Sequence, residues 1–210
     1  MEIAQRQIPT PDGASLNTAW LGAGDTVAVL LHQGDGNGLC GFLFYADFLA
    51  KRGTRVALLD LCNYGQSYCL NRPIADDPSA QVKLIVDAAR ADGAKRVVLV
   101  GTSLGGALAV AAAGVAKPDA IVDLSGGAKE ETFDIAADAG HVTMPALFAY
   151  SNIDEADAKA VRAQLKSMPT KKKVFLTYEN SGHGYTLLSD LATGEFTDLA
   201  TRVANWVKAS

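Results

Sequence analysis

The chain of 210 residues has 49% hydrophobic and 20% charged residues and a net charge of −4, a balance typical of a globular protein and not of a disordered one. Its one run of positive charge, Lys171–Lys173, precedes a predicted strand, so the sequence lacks the basic face that nucleic-acid binding needs. No apolar stretch reaches the length of a membrane span, and residues 1–10 lack the apolar segment of a secretory signal, so we expect a cytoplasmic protein.

A predicted β-hairpin opens the chain, and alternating strands and helices follow it. The hairpin pairs Ile3–Ile8 with Ser15–Trp20 across the turn Pro11–Gly13. Apolar runs without polar alternation then predict strands that are buried on both faces of a sheet. These runs are Val27–Leu31, Arg55–Asp60, Val97–Gly101, Ala120–Leu124, Ala146–Tyr150 and Lys173–Tyr178.

Helix-like segments separate the strands, and Gly53 and Gly93 stand where left-handed C-caps would end two of them. The order predicts a single domain over residues 1–210 with a three-layer α/β fold, in which helices cover both faces of a mostly parallel sheet. Residues 125–143 have a weak pattern and are expected to carry a short helix or a minimal lid. The predicted helices are Gly38–Arg52, Pro78–Asp92, Leu104–Ala116, Asp157–Ser167 and Gly194–Lys208.

The sequence Gly101-Thr102-Ser103-Leu104-Gly105 follows one predicted strand and opens a helix. This is the G-x-S-x-G pattern of a nucleophile elbow, in which a strained turn exposes the serine hydroxyl and glycines let strand and helix approach. The alternative is a turn that binds phosphate through backbone amides. No G-x-G-x-x-G or Walker lysine accompanies this turn, so we predict Ser103 as a nucleophile.

A serine nucleophile needs an adjacent base, and the chain has 3 histidines. His183 lies in Asn180-Ser181-Gly182-His183-Gly184, directly after the last predicted strand, where its imidazole would reach the edge of the sheet. His32 ends the first parallel strand, on the wrong side of the expected chain order, and His141 lies in the weakly patterned segment. We therefore predict His183 as the general base.

An aspartate is expected to orient the base. Asp154 follows the strand Ala146–Tyr150 and gives the chain order Ser, Asp, His that is used on this fold. Asp157 and Asp123 are rivals, although Asp157 is more typical of a helix start. We predict Asp154 for this role and keep the other two as alternatives.

Backbone amides are expected to stabilise the negative charge of an acyl-transfer intermediate. One donor is the amide of Leu104, the residue after the predicted nucleophile. The second is expected in the glycine-rich loop His32–Gly38, where Gly34 is the preferred donor and Gln33 the next. The alternative for that loop is a flexible surface turn.

These motifs together resemble the α/β-hydrolase superfamily over nearly the whole chain. The segment Asp60–Ser67 is similar to the D-x-R-G-x-G-x-S loop of that superfamily, with Cys62 and Asn63 in place of Arg-Gly. His32-Gln33 replaces the common His-Gly. The resemblance implies hydrolysis of an ester or a related bond through an acyl-enzyme, and it names no substrate.

The 3 cysteines, Cys40, Cys62 and Cys69, have no C-x-x-C metal spacing. We interpret them as free thiols of a reducing compartment, with a Cys62–Cys69 pair as the alternative for an exported protein.

We predict a serine hydrolase that acts on a small-molecule carboxylic ester or thioester and needs no metal or organic cofactor. A small serine peptidase and a dienelactone-type hydrolase are the alternatives within the enzyme class. A non-catalytic binding protein of the same fold is the alternative of another class. Because little cap is predicted, Tyr64 and Tyr185 are expected to wall a shallow substrate site. The sequence predicts no oligomeric state.

Overall fold

The fold is described from a computed structural model, which covers residues 2–129, 133–179, 182–190 and 192–209. The described residues form eight strands in one sheet. The strands are β1 (Ala4–Pro9), β2 (Ser15–Leu21), β3 (Thr26–Leu31), β4 (Arg55–Leu59), β5 (Arg96–Thr102), β6 (Ala120–Leu124), β7 (Ala146–Ser151) and β8 (Lys173–Tyr178).

The strand order in the sheet is β1-β2-β4-β3-β5-β6-β7-β8. The predicted hairpin is present as the antiparallel pair β1 and β2, and β2 also pairs antiparallel with β4. All later neighbours are parallel. The loops that follow β3 to β8 therefore meet at one edge of the sheet, where ligands bind in folds of this kind.

Helices pack on both faces of this sheet. They are α1 (Leu43–Ala50), α2 (Pro78–Ala91), α3 (Leu104–Ala111), α4 (Ala113–Ala116), α5 (Ile135–Asp138), α6 (Glu155–Gln164) and α7 (Asp198–Lys208). Short 3-10 helices occur at Gly38–Phe42, Pro73–Asp76, Ala139–His141, Asn152–Asp154, Leu165–Ser167 and Gly184–Leu187. The buried faces of α1 and α7 lie in one core, whereas those of α2, α3 and α6 lie in the other.

Successive residues of the central strands alternate between these two cores. In β3, Val27 and Val29 belong to the core with α2 and α3, whereas Ala28 and Leu30 belong to the core with α1 and α7. Side chains of a strand point to opposite faces in turn, so an uninterrupted apolar run is what a strand between two helix layers needs. The predicted three-layer α/β class is confirmed.

The last helix starts later than predicted. The predicted start was Gly194, but α7 begins at Asp198, because the Thr197 side chain accepts the amide N–H of Ala200 as an N-cap. Phe196 lies before this cap and pairs in an isolated bridge with Ser189. In the sequence, Phe196, Leu199, Val203 and Val207 are spaced as one apolar stripe of a helix, and this stripe begins before the helix itself.

In the described part of residues 125–143, the chain forms the short helix α5 and the 3-10 helix Ala139–His141. Asp134 caps α5 by accepting the N–H of Ala136 at 2.8 Å. Glu130 and Glu131, which are part of the same segment, lie outside the described residues. A minimal lid formed by this segment stays a prediction.

Over the ranges that the structure describes, there is no helix of the length and apolarity required to cross a bilayer.

Candidate active site

Ser103 occupies a strained turn between β5 and α3. Its φ of 51° and ψ of −118° lie in a region that L-residues rarely adopt. A β-carbon at Gly101 would collide with the carbonyl oxygen of Gly105, and one at Gly105 would collide with that of Leu31. The flanking glycines are therefore required because strand, turn and helix approach each other through their backbones.

The His183 and Asp154 side chains are joined by a hydrogen bond of 2.8 Å between His183 Nδ1 and Asp154 Oδ1. Asp154 ends the 3-10 helix after β7, and its side chain is 10% exposed, whereas that of His183 is 42% exposed. Among the described residues, His183 is the hydrogen-bond partner of the Asp154 carboxylate. An aspartate in this position orients the imidazole and leaves Nε2 free to accept a proton.

The described residues 182–187, after β8, lie against the strand that leads to Ser103. Gly184, which follows His183, lies so close to Thr102 that an added β-carbon would be 3.6 Å from Thr102 Cβ. Thr186 holds the loop by accepting the N–H of His183 at 2.8 Å and donating to its carbonyl at 3.0 Å. Thr102 directly precedes Ser103, so this contact brings His183 and Ser103 into one region of the structure.

No hydrogen bond joins Ser103 Oγ to His183 Nε2 among the residues that the structure describes.

Among the described residues, neither rival aspartate has a hydrogen bond to His183. Asp123 is fully buried, and it accepts the Gly126 N–H at 2.7 Å and shares a 2.7 Å hydrogen bond with the Tyr150 hydroxyl. Asp157 lies in α6 and accepts the N–H of Ala128 at 2.9 Å. Both side chains therefore hold the loop after β6.

His32 is a structural histidine in a defined tautomer. Its Nε2 accepts the N–H of Leu61 at 3.1 Å, so Nδ1 carries the proton and donates to the carbonyl of Gln33 at 2.8 Å. Burial lowers the pKa of this imidazole. His32 thus connects the loops after β3 and β4 as a neutral side chain.

Gly34 and Leu104, the two preferred amide donors, lie beside each other. A β-carbon at Gly34 would be 3.8 Å from Leu104 Cδ2 and 3.7 Å from the Tyr64 hydroxyl. Leu104 is the first residue of α3, where a backbone N–H has no partner within the helix. Tyr64 is partly exposed and packs its ring 4.6 Å from that of His32.

Gln33, the second candidate donor, has its N–H engaged. This N–H donates to the Tyr185 hydroxyl at 3.1 Å, and the Tyr185 N–H donates back to Gln33 Oε1 at 3.2 Å. The Tyr185 hydroxyl therefore points at the loop after β3, where it takes up one of the two candidate amides.

The loop that carries Tyr64 is organised by the buried carboxylate of Asp60. Asp60 Oδ1 accepts the N–H of Leu39 at 2.7 Å, and Oδ2 accepts the N–H of Gln66 at 3.0 Å. A β-carbon at Gly65 would collide with this carboxylate. These contacts explain why the segment that resembles D-x-R-G-x-G-x-S begins with aspartate and contains a glycine.

A disulfide closes the same loop. Cys62 and Cys69 are joined, with their α-carbons 5.3 Å apart, whereas Cys40 is free and exposed. The interpretation of all three cysteines as free thiols is therefore wrong for this pair, and the paired alternative is correct.

Several residues of this site were not predicted in their roles. Thr186 and the Gln33–Tyr185 pair hold loops through contacts that no local motif reveals. Only Thr186 could have been recognised from the sequence. It lies three residues after His183, and a side chain in that position can cap a short helix.

Solved structures share this fold over nearly the whole chain. A dienelactone hydrolase from Anabaena variabilis has 17% identity and a TM-score of 0.77 over 99% of this chain and 97% of its own. An esterase from Thermogutta terrifontis has 14% identity and a TM-score of 0.75 over 98% of both chains. A serine hydrolase without lid from Xanthomonas campestris has 16% identity and a TM-score of 0.71 over 100% of this chain and 97% of its own.

None of the curated proteins matches the sequence. The alpha/beta hydrolase family model matches residues 28–171, which span the strands from β3 to β7 and the Ser103 turn. The chain belongs to the alpha/beta hydrolase family.

Proposed function

We propose that the protein is a serine hydrolase that cleaves a carboxylic ester or thioester through an acyl-enzyme, with Ser103, His183 and Asp154 as its catalytic residues. The observation that carries the proposal is the 2.8 Å hydrogen bond between His183 and Asp154, in a loop that contacts the turn of Ser103. The chain order and the strained backbone of Ser103 support the same assignment.

In the proposed reaction, His183 Nε2 removes the proton of Ser103 Oγ as the oxygen attacks the substrate carbonyl. Asp154 keeps the Nδ1 proton directed at itself and stabilises the imidazolium. The imidazolium then gives its proton to the leaving alcohol or thiol. Water attacks the acyl group in the second half of the reaction, again with His183 as the base.

Negative charge on the carbonyl oxygen is proposed to be stabilised by the N–H groups of Leu104 and Gly34. The engaged N–H of Gln33 supports Gly34 over Gln33 as the second donor. Such backbone donors contribute most when they are already oriented before the reaction starts. Tyr64 is proposed to contact the substrate, since its hydroxyl lies beside Gly34.

The names of the similar structures favour hydrolysis of an ester or a related bond. They include a dienelactone hydrolase and an esterase, and one is described as a serine hydrolase without lid. The proposed nucleophile in this chain is a serine. A shallow site for a small ester or thioester fits the short length of residues 125–143.

The proposal is tested by labelling the folded protein with a fluorophosphonate and locating the adduct by mass spectrometry. We expect stoichiometric labelling at Ser103, none in Ser103→Ala, and full labelling in Ser167→Ala, which removes an exposed serine far along the chain. Hydrolysis of matched esters and thioesters of graded acyl length then identifies the preferred substrate. A folded parent that neither labels nor hydrolyses any of them would instead support a binding protein.

A further inference from the structure

Gln33 and Tyr185 join two loops that the sheet does not bring together. Their hydrogen bonds of 3.1 Å and 3.2 Å run in opposite directions, each from a backbone N–H to the other's side chain. The two residues are 152 positions apart, and they follow β3 and β8, which are not neighbours in the sheet. The pair is therefore a specific tertiary contact and not a local turn.

Each loop carries one group of the proposed reaction. Tyr185 is two residues after His183, and Gln33 directly precedes Gly34. A hydrogen bond between Gln33 and Tyr185 thus joins the loop of the proposed base to the loop of the proposed amide donor.

The peptide unit between Gln33 and Gly34 is held through its carbonyl. The Gln33 carbonyl accepts the Nδ1 proton of His32 at 2.8 Å. Because a trans peptide is planar, its N–H points opposite to its carbonyl. The Gly34 N–H therefore points away from His32. A change in the backbone angles of Gln33 would rotate the peptide unit and move this N–H.

The Gln33 side chain is oriented at both ends of its amide. Oε1 accepts the N–H of Tyr185, and Nε2 donates to Asp35 Oδ2 at 3.0 Å. Gly184 has a φ of 59°, and a β-carbon there would collide with Oε1. Glycine after His183 is therefore needed to admit the Gln33 amide.

The Tyr185 ring has little freedom to leave this contact. It meets the Phe42 ring edge-on with centroids 4.8 Å apart, and a β-carbon at Gly41 would collide with it. Burial raises the pKa of Tyr185 to about 12, so its hydroxyl stays protonated at neutral pH.

We propose that Gln33 and Tyr185 are positioning residues that set the Gly34 amide and the His183 loop in one arrangement relative to Ser103. This inference rests on the proposed function. In this inference the Tyr185 hydroxyl binds the N–H of Gln33 and does not contact the substrate directly. Small displacements of such groups lower the rate of the chemical step more than the affinity for substrate.

The test compares Tyr185→Phe and Gln33→Met with the parent, using active-site titration to count working sites. We expect kcat per site to fall about ten-fold in each variant, less than the ~100-fold loss known for removal of a whole donor, with KM changed by less than about two-fold. The affinity for a trifluoromethyl ketone, which forms a tetrahedral anionic adduct with serine, should fall by the same factor as kcat. Because the two hydrogen bonds hold the same contact, the loss in the double variant should be smaller than the product of the two single losses.

Tyr45→Phe is the matched control. It also deletes a buried phenol hydroxyl, which donates to the carbonyl of Ala200 at 2.9 Å, but it lies in the core of α1 and α7. We expect it to lower stability and leave kcat per site unchanged.

The inference is overturned if Tyr185→Phe retains the parent kcat, or if the variant raises KM alone. It is also overturned if the two changes are additive. Failure of the proposed function looks different, since the parent itself would then show no hydrolysis that depends on Ser103.

Discussion

Asp123 and Tyr150 share a hydrogen bond of 2.7 Å between the neighbouring strands β6 and β7, and both side chains are fully buried. The Tyr150 hydroxyl also lies 2.9 Å from the carbonyl oxygen of Gly126. A hydroxyl has one proton, so it can make a full hydrogen bond to only one of these two oxygens. The contacts are all satisfied if Asp123 is protonated and donates to Tyr150, which then donates to Gly126.

Burial acts in the same direction and, with the negative charges of Asp157 and Asp154, outweighs the hydrogen bonds from Tyr150 and Gly126, which raises the pKa of Asp123 to about 7. The folded protein therefore retains a proton that the unfolded chain releases near its ordinary pKa of 3.8. The free energy of unfolding should accordingly decrease as pH rises from about 4 through about 7.

Asp123→Asn should remove this contribution to the pH dependence. Asparagine can accept the Gly126 N–H with its oxygen and donate to Tyr150 with its amide, as the protonated acid does. Denaturant unfolding across this pH range measures the effect. We expect the variant to match the parent in acid and to become the more stable of the two, by a few kcal/mol, at neutral pH and above.

Tyr150→Phe is the control for this network, because it leaves the Asp123 proton without an acceptor and should destabilise the fold at every pH. If Asp123→Asn were instead less stable than the parent at all pH values, Asp123 would be an ionised acceptor and the protonated assignment would be wrong.

Asp154→Asn should lower kcat strongly and leave the fold intact. An amide in place of the carboxylate favours the wrong imidazole tautomer and gives no stabilisation to the imidazolium. We expect a loss of roughly four orders of magnitude in kcat, the size known for this change in another serine hydrolase. Steady-state ester hydrolysis measures it.

Asp157→Asn is the matched control, since Asp157 is the rival aspartate and bonds the Ala128 N–H instead of His183. Its activity should stay within a few-fold of the parent. A larger loss in Asp157→Asn than in Asp154→Asn would reverse the proposed roles.

Removal of the disulfide should destabilise the fold. The bond closes a loop with a sequence separation of 7, and the double change Cys62→Ser with Cys69→Ser should reduce the free energy of unfolding by about 2–3 kcal/mol. Urea unfolding of oxidised protein measures this difference.

Cys40→Ser should leave stability unchanged, since Cys40 is exposed and free. Thiol titration of the unfolded parent should find one reactive group before reduction and three after it. Three groups before reduction would show that the pair is not joined in the protein as prepared.

The central strands were predictable because each is a short apolar run bounded by polar residues or glycine. Ala120–Leu124 and Lys173–Tyr178 were predicted with the bounds that the structure has. Ser103, Asp154 and His183 were predicted as site residues for the same reason, since each follows such a run. A local sequence pattern is sufficient to predict a strand and the residue that directly follows it.

The remaining parts depend on distant contacts. Gln33 meets Tyr185 across 152 positions, and the Asp123 carboxyl meets a tyrosine from the next strand of the sheet. The start of α7 was missed because the apolar stripe continues to Phe196, whereas the cap at Thr197 decides where the helix begins. Tertiary packing decides which of these distant contacts form, and the sequence alone does not show it.

The positive φ of Ser103 has a consequence for how this position can evolve. Glycine would adopt the turn without the steric cost that a side chain meets there. The free energy of unfolding of Ser103→Gly should therefore exceed that of the parent by about 1 kcal/mol, and the variant should lack all Ser103-dependent activity. Selection for durability and selection for chemistry thus favour different residues at position 103. In a lineage freed from the need to hydrolyse anything, glycine is the residue we expect to find there.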